Sequence, residues 1–127
     1  MDKENVKINS YHDLIVWKKG MELAKNVYLV TEEFPKSEIY GLTNQLRRAA
    51  ISVPSNIAEG HSRHSTAEFS HFLRISLGSL AELDTQLILS KELDYIPQDT
   101  LNQFNDRISD LRKMIHALIT RVAAYSK

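Results

Sequence analysis

Four stretches of this chain repeat their apolar residues at intervals of three and four, and nothing else in the sequence limits the fold so strongly. The last stretch is the most regular: Leu101, Phe104, Ile108, Leu111, Ile115, Leu118, Val122 and Tyr125 hold the alternation without a break. A chain that turns once every 3.6 residues gathers such positions on one side, so the pattern specifies a helix with one buried face. Phe69, Leu73, Ser76, Leu80, Leu83, Leu87 and Ser90 do the same in the third stretch, and Leu42, Leu46, Ala49, Val53 and Ile57 in the second. The first stretch carries two stripes side by side. Leu14, Trp17, Met21, Ala24, Tyr28 and Thr31 form one; Val16, Leu23, Val27, Val30 and Phe34 form the other. An apolar face that wide suits a helix with neighbours on two sides.

Breakers fall between the stretches: Phe34-Pro35-Lys36-Ser37, Gly60-His61-Ser62-Arg63 and Asp94-Tyr95-Ile96-Pro97. The chain has 127 residues but only 3 prolines and 4 glycines, too few for a many-stranded β fold with frequent turns. The expectation is one all-α domain over residues 11–127, an antiparallel up-down-up-down four-helix bundle, behind a flexible segment at 1–10. Its helices are expected at about 12–34, 38–60, 65–93 and 98–125.

Some positions carry finer expectations. Pro35 stops the first helix. Pro54 lies inside the second and predicts a kink there, or else two shorter helices meeting at Val53-Pro54. Gly60 is placed as a left-handed C-terminal cap. Ser65 and Glu68 read as a capping box. Gly78, Ser79 and Ala81 are small residues in mid-helix that let another backbone approach. Helix four starts after Pro97 with Gln98 or Asp99, and Arg121 and Lys127 complement the dipole at its end.

The absence of cysteine excludes a disulfide scaffold and a thiolate metal site. No apolar run approaches the roughly 20 residues of a membrane span. Residues 1–11 are polar and lack a signal-peptide core, so the expected location is the cytoplasm. No G-x-S-x-G, P-loop or G-x-G-x-x-G motif occurs, and the Glu-x-x-His pairs of a di-iron bundle are missing. Of the histidines, His61, His64 and His71 cluster, but no carboxylate of suitable spacing completes a zinc site, and they read as surface polar residues. Asn56 and Glu59 lie near the apolar stripe of helix two, where hydrogen bonding across the bundle is the expected role. No catalytic residue, cofactor, metal or small-molecule substrate is expected.

Charge is balanced in total, 16 Lys plus Arg against 16 Asp plus Glu, but not along the chain. Lys36, Arg47, Arg48, Arg63 and Arg74 outnumber Glu38, Glu59 and Glu68, whereas Glu82, Asp84, Glu92 and Asp94 outnumber Lys91. Arg47, Arg48, Arg63 and Arg74 could converge at one end of the bundle and hold phosphates. The alternative is pairing with acids such as Glu59 and Glu82, within the bundle or between subunits. Surplus apolar surface on helix one, and Phe72, Ile75 and Leu77 beside the stripe of helix three, point to a partner interface.

Residues 40–60 carry a more specific signal. Asn44-Gln45-Leu46-Arg47-Arg48-Ala49-Ala50 followed by Val53-Pro54-Ser55-Asn56-Ile57-Ala58-Glu59-Gly60 resembles the central signature of the four-helix bundle proteins encoded in intervening sequences of bacterial 23S rRNA genes. The resemblance continues through Asp13-Leu14-Ile15-Val16-Trp17, Arg63, Ser65, Glu68-Phe69, Phe72-Leu73, Leu77-Gly78-Ser79-Leu80-Ala81-Glu82-Leu83 and Thr85-Gln86-Leu87, so it covers about residues 11–96. Asp94 stands where family members often carry glycine, which implies a looser cap, and Ser76 stands where alanine is common. The histidine cluster is not a family feature. The resemblance implies a cytoplasmic bacterial protein without enzyme activity that assembles as a ring-like homo-oligomer, typically a pentamer. A related group, the accessory variability determinants of diversity-generating retroelements, binds a reverse transcriptase and nucleic acid through basic surface. That gives Arg47, Arg48, Arg63 and Arg74 an alternative use on RNA or DNA.

Overall fold

The computed structural model describes residues 11–124, and among these it contains α-helices and short 3-10 turns but no strand. The helices are α1 (Ile15–Thr31), α2 (Leu42–Ser62), α3 (Thr66–Glu92) and α4 (Gln98–Ala124). The expected flexible segment at 1–10, and Tyr125 and Lys127 at the end of helix four, lie outside the described residues. Each helix packs on its neighbour in sequence, and α4 closes back on α1, while α1 and α3 sit diagonally apart. The pairs run antiparallel. Ser76 meets Val53, Ser79 meets Ser52 and Gln86 meets Gln45, so numbers rise on α3 as they fall on α2.

The heptad stripes become the core. Leu46, Val53, Ile57, Leu73, Leu80, Leu83, Leu87, Ile108 and Ile115 are fully buried, and Leu23 and Leu111 nearly so. On α1 the two stripes are used unequally: Val16, Leu23 and Val27 are buried and Val30 partly so, but Met21 and Tyr28 of the other stripe remain exposed. Gly20, which belongs to neither stripe, is buried because Pro54 passes close; a Cβ on it would lie 3.3 Å from the proline Cβ.

Helix ends depart from the sequence expectation where local hydrogen bonds decide them. α1 starts at Ile15 because Tyr11–Asp13 forms a 3-10 turn. It ends at Thr31, whose hydroxyl turns back to the Val27 carbonyl at 2.7 Å. α2 starts at Leu42 and not near residue 38, because Lys36–Glu38 forms a second 3-10 turn. Pro54 does not divide α2, which runs unbroken from Leu42 to Ser62. Ser76 on α3 donates to the carbonyl of Val53, beside the proline, at 2.8 Å.

Gly60 is not a left-handed cap. It lies within α2 and has no positive φ; the left-handed residue after the helix is His64, at φ 56°. Gly60 is instead a packing contact, since a Cβ there would lie 2.6 Å from Phe72 Cβ on α3. Only half of the capping box forms. The Glu68 N–H donates to Ser65 Oγ at 3.2 Å, but the Glu68 carboxylate turns to Arg63. At the far end of α3, the N–H groups of Asp94 and Tyr95 donate to the carbonyls of Lys91 and Ser90, a Schellman closure with Asp94 left-handed at φ 62°.

Candidate functional site

The four arginines are not brought together. Arg47 and Arg63 belong to opposite ends of one continuous helix, about 24 Å apart at 1.5 Å per residue. Arg47 is half-buried and turned onto the C-terminal end of α1. Its Nε donates to Thr31 Oγ1 at 2.9 Å and its Nη2 to the Tyr28 carbonyl at 3.3 Å, while the guanidinium lies over the Tyr28 ring. A cation there also meets the negative end of the α1 dipole. Arg63 pairs with Glu59 at 2.8 Å and Glu68 at 3.2 Å, over the Phe72 ring. Glu59 thus serves the α2–α3 turn and not a contact across the core. Arg48 and Arg74 are exposed and make no such contact among the described residues.

Arg48 and Glu82 line one polar groove of about 470 Å³ between α2 and α3, with Asn44, Gln45, Ser52 and Gln86. A chain of small polar groups floors this seam. Asn56 Nδ2 donates to the Ser52 carbonyl and hydroxyl at 2.7 and 2.9 Å, and Ser79 Oγ donates to Ser52 Oγ at 2.8 Å. Asn56 therefore bonds within its own helix and reaches α3 only through Ser52. Gly78, one residue before Ser79, faces outward, and a Cβ there would meet nothing within 4 Å.

The histidines serve the same turn as Arg63. His61 lies edge-on to Phe69 and His71 edge-on to Phe72. Among the described residues no three His, Asp or Glu side chains form a group that could hold a metal ion.

Sequence reasoning missed Glu38. Its Oε1 accepts the N–H of Leu42, the first residue of α2, at 3.0 Å, and its Oε2 accepts the hydroxyl of Tyr95 at 2.8 Å. Those two bonds hold the carboxyl below the usual carboxylate range, the Leu42 amide most, and the same carboxylate raises the Tyr95 phenol. The legible signal was an acid just ahead of an amphipathic stretch, where a helix N-terminus favours negative charge.

An apolar opening lies between α1 and α2. Trp17, Met21 and Tyr28 from one helix and Ile51, Pro54 and Ala58 from the other line a groove of about 430 Å³. Met21 and Ile51 are 47% and 43% exposed, although the core behind them is already closed by Leu23, Val27 and Val53. α3, which does not touch α1, exposes Ile75, Ile88 and Leu89, and its C-cap Leu93 is exposed too. No helix among the described residues is long and apolar enough to cross a membrane.

A family model described as 23S rRNA-intervening sequence protein matches residues 12–117. A crystal structure of a protein of unknown function from the S23 ribosomal protein family of Bacteroides thetaiotaomicron is similar to this chain with a TM-score of 0.74 at 23% identity, over 83% of this chain and 98% of that one. At that identity the likeness is one of fold. No curated protein matches the chain in sequence.

Proposed function

Since the chain belongs to the 23S rRNA-intervening sequence protein family, we propose that it works as a non-enzymatic homo-oligomeric scaffold, a ring of five subunits in the bacterial cytoplasm. The observation that carries this reading is the apolar groove between α1 and α2. Met21, Tyr28 and Ile51 stay exposed there, beside Trp17, which packs partly on the core. Contiguous apolar surface of this kind marks an interface. The neutral but polarised charge pattern fits association of like chains, because a basic surface on one copy can meet an acidic one on the next. Native mass spectrometry of the whole chain tests the subunit number. A single species of five chains is the expected result, and single chains alone would refute the scaffold.

One observation favours a second reading, an accessory module that binds RNA or DNA beside a nucleic-acid enzyme such as a reverse transcriptase. Arg48 and Arg74 are exposed cations that the fold does not use, and a ring would repeat them in every subunit. On this reading Arg48→Ala with Arg74→Ala weakens binding to a structured RNA and flattens its salt dependence, while the fold persists. Binding that is absent at low ionic strength removes the reading.

A further inference from the structure

We infer that the α1–α2 groove of one copy receives the outer face of α3 from a second copy, so that association is head-to-tail between unlike surfaces. This rests on the homo-oligomer reading above and says which faces meet. The groove is concave, lies between two helices, and is lined by Trp17, Met21, Tyr28 and Ile51. The outer face of α3 is a convex helix surface whose exposed side chains include Ile88, Leu89 and Leu93. Thr85 and the open Gly78 lie on that same side, leaving room for a neighbour. A chain cannot fill its own groove with its own α3, because α1 and α3 stand at opposite corners of the bundle.

Charge selects the unlike pairing over the two like ones. Lys25 lines the groove and Lys18 stands one turn before Met21, so the α1 rim is basic. On α3, Glu82 precedes Thr85 by one turn and Glu92 follows Leu89 by one turn, so that surface is acid-flanked. Groove against groove sets cation on cation, and α3 against α3 sets acid on acid. Groove against α3 satisfies both. Such a contact uses a different surface on each partner and therefore propagates, giving a ring where the rotation between copies closes.

Ile51→Glu and Leu89→Glu test this in the whole chain, because both positions are exposed and neither closes the core. Light scattering is read with the unmodified protein, each variant alone and the two mixed in equal amounts, with far-UV circular dichroism showing that each variant keeps its helices. The expected result is an assembled unmodified protein, single chains for each variant, and a two-chain species in the mixture, where one intact groove meets one intact α3 face. An unmodified protein that is itself a single chain overturns the oligomer reading. An assembled protein whose variants stay assembled overturns the assignment of faces. Variants that separate but do not pair on mixing overturn the head-to-tail geometry. Met21→Glu, also exposed, repeats the groove arm should Ile51→Glu lose its helices.

Discussion

Gly60 and Gly78 both sit inside helices, where glycine costs roughly 1 kcal/mol relative to alanine, and only one of them is required by packing. A methyl on Gly60 would press into Phe72. Gly60→Ala is expected to lower stability by about 1 kcal/mol net, since overpacking costs typically 1–3 kcal/mol and outweighs the helix propensity gained. Gly78→Ala meets open space within the chain and is expected to raise the thermal midpoint of the dissociated chain by a few degrees. Asp94 adopts a left-handed conformation that suits glycine better, so Asp94→Gly is expected to add about 0.5–1 kcal/mol in denaturant unfolding. Glu38 gives a dependence on pH. Its carboxyl is depressed in the fold, so its contribution is present above the unfolded carboxylate pKa and is lost as pH falls through the folded value. The Tyr95 phenol is raised, so its share is present below the unfolded phenol pKa and is lost as pH rises through the folded one. Glu38→Gln should therefore be less stable than the natural chain near neutrality and converge with it in acid. A constant gap at all pH values would count against the bond. Asp94 was legible as a cap position after helix three, where the resemblance puts glycine; the roles of Gly60, Gly78 and Glu38 were not. Each depends on what lies opposite, as Glu38 depends on a tyrosine 57 positions away.

At the scale of the element, the periodicity was sufficient. Leu101, Phe104, Ile108, Leu111, Ile115, Leu118 and Val122 are all buried, because a stripe is a property of the whole helix and survives errors at its ends. The Ser65 cap of α3 and the start of α4 at Gln98 were legible, but the ends of α1 and the start of α2 were not. The residues that set them, Thr31 turning on its own helix and Glu38 capping the next, compete with equally good local alternatives. Nor were the roles of Arg47 and Arg48. Adjacent in sequence and about 100° apart around the helix, one faces α1 and the other solvent. Arg47→Ala is expected to cost about 1–2 kcal/mol through loss of its bonds to Thr31 and Tyr28. Arg48→Ala should stay within about 0.5 kcal/mol. Equal effects in chemical unfolding would mean that Arg47 does not bind α1 to α2.

At the scale of the whole molecule, zero net charge and an ordinary composition conceal two separated features, a basic-rimmed apolar groove and an acid-flanked apolar helix face. The doubled stripe of α1 already pointed to apolar surface beyond the needs of one bundle, and Met21 and Tyr28 are the members of it that stay exposed. Ile51, Ile88 and Leu89 lie off the stripes of their helices and are exposed. Those exposed apolar side chains are what the proposed assembly rests on. The molar mass of the unmodified protein in solution, measured by light scattering across a range of concentration, tests this most directly. A discrete multiple of 14.6 kDa that persists on dilution is the expected result. A mass of one chain at every concentration would contradict the proposal that this protein is a scaffold made of copies of itself.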